Sequence, residues 1–438
     1  MKFGGTSVGS PERMQKLVSL IHDGRPKIVV LSAMSGTTNR LAEIASALYK
    51  DDRIEANQKI DLLEKQYELV VSNLFSNTEF KQKGTELIQN HFNFLRSFTL
   101  DMFTIYEEKA VLAQGELIST ALFHMYLNEQ SIPSTLLPAL DFMRLNTDDE
   151  PDYELIKKLL TEKLITTPSE KLIITQGYIC RNTFGEIDNL KRGGSDFTAT
   201  IMGAMLQSPE IQIWTDIDGM HNNDPRVVEK TFPITELSYD EAAELAYFGA
   251  RILHPTCVLP AQKMNVPIRL LNTMKPEAKG TIIHGIQSLR PVTAIAAKDG
   301  ITVVNIRSGR MLQAYGFLRN VFEVFERYKT PIDMITTSEV AVSLTIDNDL
   351  SINEIIAELQ NFGNVEVDYN QTIVCVVGDF SRDKQDEAFR VLDALKDIPL
   401  RMISYGGSEH NISVVIQSDQ KVAAMKALNS ALFKNLMA

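Results

Sequence analysis

The chain has 438 residues, 44% hydrophobic and 23% charged, with 44 Lys and Arg against 56 Asp and Glu and a formal net charge of -12. This is a globular composition, long enough for two or three domains, and its acidic balance without any long Lys/Arg block excludes a nucleic-acid binder. Three distant cysteines (Cys180, Cys257, Cys375), histidines without ligand spacing and no apolar run of membrane-span length exclude a disulfide framework, a thiolate zinc site and a membrane partner.

The first element is a short strand ending in Lys2-Phe3, followed by Gly4-Gly5-Thr6-Ser7 and a helix start at Ser10-Pro11. Ser10 suits an N-cap and Pro11 the first helical position, while Met14, Leu17, Val18 and Ile21 repeat at helical spacing. Glycines let backbone amides approach an anion, and the helix N-terminus adds a favourable dipole; the plain alternative is a strand-turn-helix with glycines for geometry. No signal peptide precedes Lys2, so a cytoplasmic location is the default. With only Met1 ahead of it, the strand has little anchorage, and adding a few apolar residues upstream is expected to raise stability or activity.

Lys27 to Ser32 reads as a second strand, leading into the loop Ala33 to Asn39. Helices follow from Leu41 to Gln130, including a long pair near 55–75 and 80–110. Glu116 lies in the apolar helical run Val111 to Ile118, where a buried carboxylate needs a cationic partner, either a substrate ammonium or a structural arginine. Strands return at Lys171–Gln176 and Ile211–Trp214, with helices near Thr198–Leu206 and Tyr239–Ala250. This alternation predicts an α/β domain with a largely parallel sheet over 1–285.

Arg192-Gly193-Gly194-Ser195-Asp196 is a second glycine-rich turn entering a helix, where amides and a guanidinium can converge on an anion. Asp196 there calls for a cation, either Lys2 or a metal carried by a nucleotide. The run Trp214-Thr215-Asp216 to Asp218, then Asp224-Pro225-Arg226, ends a strand in polar groups, as nucleotide pockets of open α/β sheets do, although an Asx turn reads similarly. Gly4 and Gly9 begin a P-loop pattern, but Ser10-Pro11 replaces its Lys-Ser/Thr, and neither a dinucleotide fingerprint nor a protein-kinase catalytic loop is present.

Prolines and glycines near 276–291 mark a linker. Beyond it the pattern predicts strand 301–306, helix 310–328, strands 332–337 and 340–346, helix 351–361 and strand 364–369, a βαββαβ unit over 299–369. A second unit over 370–438 repeats the order with strand 371–378, helix 384–396, strands 400–404 and 411–416 and helix 420–433. It lacks its last strand. Residues 292–297 form a spare strand that would fill the gap beside 411–416, nesting the first unit in the second.

Taken in order, Lys2 to Ser7, Ser32 to Asn39, Gln114-Gly115-Glu116, Ile174 to Tyr178, Arg192 to Asp196, Trp214 to Asp216, Asp224 to Arg226 and Phe248 to Pro255 resemble the aspartate kinases of the amino-acid kinase superfamily. The carboxy-terminal units resemble the tandem ACT regulatory domains of that family. The implied fold is an αβα sandwich with a mainly parallel sheet, followed by two ferredoxin-like ACT domains. The implied reaction is transfer of the γ-phosphoryl group of MgATP to the β-carboxylate of L-aspartate, with no metal site on the protein itself.

By the same resemblance Lys2 stabilises the transferring phosphoryl group, with the Gly4 and Gly5 amides assisting, and Asp196 orients Lys2. Arg192 grips the α-carboxylate of aspartate, Glu116 its ammonium, and Ser32, Thr38, Ser195 and Tyr178 the rest of the pocket. Gly4, Gly5, Thr6, Ser7, Thr215, Asp216, His221, Arg226 and Arg251 match the ATP site, with His221 where the family often has tyrosine and Arg251 where it usually has lysine. Met311, Gly316, Phe317, Leu318, Ile332, Asp333, Thr337, Ser338 and Glu339 resemble the lysine-binding segment of lysine-sensitive members. Three of these have other readings: Asp333 as the end of a helix-strand loop, Phe317 and Leu318 as core. A homodimer through the ACT units is implied. The alternatives are another amino-acid kinase and a catalytically silent effector sensor.

Overall fold

The computed structural model describes all residues except 167–170, 192, 250–252, 287–289, 310–314, 382–384 and 435–438. The chain divides into two compact units, Met1–Met220 with Ile252–Gly285, and His221–Arg251 with Ile286–Ala438. The sequence groups 221–251 with the rest of 1–285; the structure packs it with the carboxy-terminal residues. Asn222 and Asn223 donate to Asn429 Oδ1 at 3.3 and 3.2 Å, and the Thr293 hydroxyl donates to Glu241. Such pairings, far apart in sequence, leave no local trace.

In the first unit the central strand is Lys2–Phe3, parallel to both Lys27–Leu31 and Ile211–Thr215. Leu172–Gln176 and Thr135–Leu136 extend the parallel run on one side; Ile268–Asn272 continues it on the other, with Thr281–His284 antiparallel beyond. Apolar residues such as Phe3, Val29, Leu31, Ile174 and Ile213 are buried, as a parallel sheet covered by helices requires. Helix Pro11–Ile21 is capped by Ser10, whose Oγ accepts from the Arg13 amide, and it buries Met14, Leu17 and Ile21. The Met1 ammonium is buried and donates to the Ile28 carbonyl at 2.8 Å; burial, reinforced by Lys27, lowers its pKa to about 5. A groove of about 630 Å³ lined by Met1, Lys27, Ile28 and Ile211 opens there, at the amino ends of the strands.

The helical layer consists of Arg53–Leu74, Thr78–Ser97 and Ile105–Glu129. The helix expected over 80–110 is therefore two helices. The break falls where Thr104 and Glu107 form a capping box, the Glu107 carboxylate accepting from the Thr104 amide at 2.8 Å. Thr104→Ala is expected to cost about 1 kcal/mol, read as a lower urea midpoint. An unchanged midpoint contradicts that role.

The second unit carries a six-stranded antiparallel sheet in the order Ile335–Thr337, Ala341–Ile346, Val292–Arg307, Asn364–Gly378, Asn411–Gln417, Met402–Ser404. Helices Phe317–Arg327 and Ile352–Leu359 cover the first half, around Val304, Val342 and Leu344. Helices Gln385–Ala394 and Lys421–Leu432 cover the second, around Val374, Val376 and Val414. The two longest strands run through both halves, so 292–297 continues into 301–307 and 364–369 into 371–378.

The pairing drawn from the sequence for 292–297 is corrected. Val292 to Lys298 pairs with Ile373 to Gly378, and Asn411–Gln417 lies on the far side of that strand. The order expected beside 411–416 is not formed, because the last strand of a βαββαβ sheet lies beside the first.

Candidate active site

The first unit brings its motifs together at the carboxyl ends of neighbouring parallel strands. Gly4-Gly5 follows Lys2–Phe3, Ser32-Ala33 follows Lys27–Leu31, Gly177-Tyr178 follows Leu172–Gln176, and Asp216 follows Ile211–Thr215. Ligands collect at this edge of an open α/β sheet because successive loops leave it with their polar groups free.

Lys2 Nζ lies 2.6 Å from Asp196 Oδ1, and the two side chains are only 9% and 14% exposed. Asp196 is in the first turn of helix Gly194–Met205, where the helix dipole favours its charge. Of the two partners the sequence leaves open for Asp196, Lys2 is in place. Ser195 is held close to Gly177, where any Cβ would come within 2.5 Å of it, and a Cβ on Gly194 would strike the Tyr178 ring at 2.5 Å. Tyr178 itself adopts φ 68, secured by its amide on Thr198 Oγ1 at 3.0 Å and by its carbonyl, which accepts from Leu190. Backbone strain at a pocket residue persists only where surroundings fix it.

Glu116, on helix Ile105–Glu129, is 4% exposed. Its Oε1 accepts from the Ala33 amide at 3.1 Å, while its Oε2 is buried without any hydrogen-bond partner. Burial pushes its carboxyl up to about 7, against the pull of the Ala33 amide and of the Lys2 charge. Among the described residues no arginine reaches this carboxylate, and a cationic ligand is a partner that suits its chemistry. Ser32 is half-buried, with its carbonyl accepting from Ser119; Thr38 is exposed, and its neighbour Thr37 is the buried one, bonded to the Tyr67 hydroxyl at 2.9 Å.

The glycine turn differs from expectation in one respect. The Gly4 amide donates to the Trp214 carbonyl at 3.3 Å and is not free for an anion. The Gly5 and Thr6 amides have no acceptor among the described residues, and Ser7 Oγ is tied to Thr273 at 2.7 Å. Asp216 is exposed at the strand end, and Thr215 Oγ1 accepts from the Ile217 amide, the Asx-like turn foreseen as the alternative. His221 and Arg226 belong to the second unit: His221 Nδ1 is 3.1 Å from Thr231 Oγ1, and the Arg226 guanidinium is held by both oxygens of Asp224. Arg192 and Arg251 lie outside the described residues. So does Met311.

Of the remaining effector candidates, Gly316 (φ 83) caps helix Phe317–Arg327, Phe317 is core, and Leu318 is exposed. Ile332 packs on the same core, Thr337 ends the edge strand, and Ser338 and Glu339 are exposed in the turn after it. Asp333 accepts from Lys298 Nζ and from the Tyr247 hydroxyl, both at 2.8 Å. Sequence reasoning missed Lys298, Tyr247, Thr198 and the Ala33 amide. A lone lysine closing the apolar run Ala294 to Ala297 was the one available signal among them. Among the described residues no group of three His, Cys, Asp or Glu is arranged to hold a metal ion.

The sequence profile of the amino acid kinase family matches residues 1–272, and that of an ACT domain matches 374–432. Lysine-sensitive aspartokinase 3 of Escherichia coli (strain K12) is 31% identical over 446 residues, spanning 99% of this chain and 98% of its own. The chloroplastic aspartokinase 3 of Arabidopsis thaliana is 33% identical over 468 residues, spanning 99% of this chain and 81% of its own. The crystal structure of E. coli aspartokinase III with aspartate and ADP superposes with a TM-score of 0.87 at 31% identity, covering 99% of both chains. The complex of that enzyme with lysine and aspartate gives 0.81, covering 99% of this chain and 98% of its own. The chain belongs to the amino acid kinase family and, within it, to the aspartokinases.

Proposed function

We propose that the chain phosphorylates the β-carboxylate of L-aspartate with ATP and is inhibited by lysine. The observation that carries the reading is the pairing of a nearly buried Lys2–Asp196 ion pair with the unpartnered buried oxygen of Glu116 at one edge of the parallel sheet. A carboxylate acceptor is ionised at neutral pH, so the attack needs no general base. A β-carboxylate oxygen bonds to the γ-phosphorus as the bond to the β-phosphate oxygen breaks, giving aspartyl phosphate and ADP. The obstacle is the approach of two anions, which positioning and charge neutralisation relieve.

Lys2 meets the charge on the transferring group, and Asp196 holds the Lys2 ammonium in place. Glu116 takes the substrate ammonium, which fits its unpartnered oxygen, and the free Gly5 and Thr6 amides suit phosphate oxygens. Arg192 on the α-carboxylate and Arg251 near the nucleotide rest on the family motifs. Magnesium carried by the nucleotide would supply further charge neutralisation, and the exposed Asp216 carboxylate at the strand end would suit it. The buried unpaired thiols of Cys180, Cys257 and Cys375 suit the reducing cytoplasm, and among the described residues no helix is long and apolar enough to cross a membrane. A homodimer through the second unit is supported by its exposed edge strand Ile335–Thr337, an edge that proteins commonly cover.

ADP release against a panel of amino acids, with and without lysine, tests the reading. Turnover with aspartate that lysine suppresses is expected. Turnover with glutamate or acetylglutamate instead points to another amino-acid kinase, and lysine binding without any turnover points to a sensor.

A further inference from the structure

Asp333 stands in a buried polar cluster of the second unit whose members come from separate stretches of chain. Its side chain is 2% exposed; Oδ1 carries the bonds from Lys298 and Tyr247, and Oδ2 is buried with no hydrogen-bond partner. Lys298 Nζ also reaches Asp347 Oδ2 at 2.9 Å and lies 4.8 Å from the centre of the Tyr247 ring. Burial opposes the charge on Lys298, but Asp333 and Asp347 outweigh it and hold the ammonium's pKa above its ordinary value. Two carboxylates against one ammonium leave a negative charge unbalanced, and a buried acceptor without a donor is costly. The cluster has room, in charge and in hydrogen bonding, for one more cation, as the ammonium of an amino-acid effector would be.

Tyr247 ends helix Tyr239–Tyr247. That helix lies in the stretch 221–251, which falls inside the family match and carries the nucleotide candidates His221 and Arg226, yet packs with residues 286–438. Two residues on, Gly249 adopts φ 122 against the backbone of Ala297, where a Cβ would come 2.2 Å from the carbonyl oxygen. The end of this catalytic-sequence helix is thereby fitted to the strand residue just before Lys298. A cation arriving at Asp333 competes with Lys298 for the carboxylate, and any resulting shift reaches the helix through one hydroxyl and one ring face.

We propose that Tyr247, by its hydroxyl on Asp333 and its ring beneath Lys298, is the positioning residue that couples effector occupancy of this cluster to the nucleotide-binding stretch 221–251. The inference rests on the lysine-effector reading above. Effector coupling requires a contact that differs between the two states, and among the described residues this node joins the segments of both ligands.

Tyr247→Phe removes the hydroxyl alone. In the full chain, aspartate-dependent ADP release without lysine is expected to stay within about twofold of the parent and calorimetric lysine affinity within about threefold, whereas the half-inhibitory lysine concentration rises at least about fivefold. Lys298→Gln removes the competing ammonium from the strand side, so calorimetric lysine binding is expected to hold or tighten while maximal inhibition falls, and this split carries the test if Tyr247→Phe does not fold. Parent-like inhibition in the variant overturns the proposal. So does loss of lysine binding along with inhibition, which would make Tyr247 a ligand residue. A parent that binds no lysine overturns the effector reading itself, a result separable from either of these.

Discussion

Lys2→Met is expected to lower kcat by about 10³-fold with little change in the KM for aspartate, because the ammonium acts on charge that develops during transfer. It is also expected to lower stability by roughly 3 kcal/mol, since it strands Asp196 as a nearly buried, unpaired carboxylate. The two effects separate in a double variant. Adding Asp196→Asn to Lys2→Met removes the stranded charge and restores most of the stability, while kcat stays low. A double variant that recovers activity along with stability would show that Lys2 is only a structural partner of Asp196. Lys2→Arg keeps the charge but is expected to rescue poorly, because a planar guanidinium cannot place its charge as a compact ammonium does.

Glu116→Gln is expected to raise the KM for aspartate roughly 100-fold, as the loss of one partner of a buried charge pair does. The same change is expected to stabilise the unliganded protein at pH 8. Burial moves the Glu116 carboxyl from its usual value near 4.5 to about 7. Between those values the folded protein keeps a proton that the unfolded chain has lost, so stability falls as pH rises through this window, and above 7 the penalty is complete. Removing it is worth roughly 3 kcal/mol at pH 8 and little at pH 4.5, read as a Tm difference that opens with pH. For the parent, aspartate affinity follows the opposite course. Binding needs the carboxylate, so KM falls as pH rises toward 7 and levels off above it. A KM independent of pH between 5.5 and 8 would mean that Glu116 does not meet the substrate ammonium.

The convergence of Lys2, Ser32, Tyr178, Asp196 and Asp216 on one sheet edge was legible in the sequence because each motif directly follows an apolar strand or opens the next helix, and parallel strands deliver their carboxyl ends to one edge. Ser10, Pro11 and the helical spacing of Met14, Leu17 and Ile21 likewise place the first helix where it forms. The helix break before Thr104 was also readable, since Thr104 and Glu107 carry a capping-box pattern, but the apolar run across it hides the stop.

The second sheet was misread for a different reason. Asp299-Gly300 and Tyr369-Asn370 have the composition of turns, so the sequence divides two strands there. The structure uses Gly300 and Asn370, with φ of 75 and 55, to shift register inside continuous strands. Placement of 221–251, the neighbour of 292–297 and the Lys298–Asp333–Tyr247 cluster depend on contacts between distant segments. No local pattern encodes them. The Gly4 amide illustrates the limit at small scale: a glycine suited to a phosphate was claimed by the neighbouring strand's carbonyl.

The central claim is that Lys2, Asp196 and Glu116 form a site for phosphoryl transfer to a carboxylate of aspartate. An acyl phosphate is captured by hydroxylamine as a hydroxamate, so the product can be read directly. Incubated with ATP, magnesium, aspartate and hydroxylamine, the parent chain is predicted to form aspartyl β-hydroxamate in step with ADP release, and Lys2→Met to form almost none. ADP release without hydroxamate, or hydroxamate formation undiminished in Lys2→Met, would contradict the account.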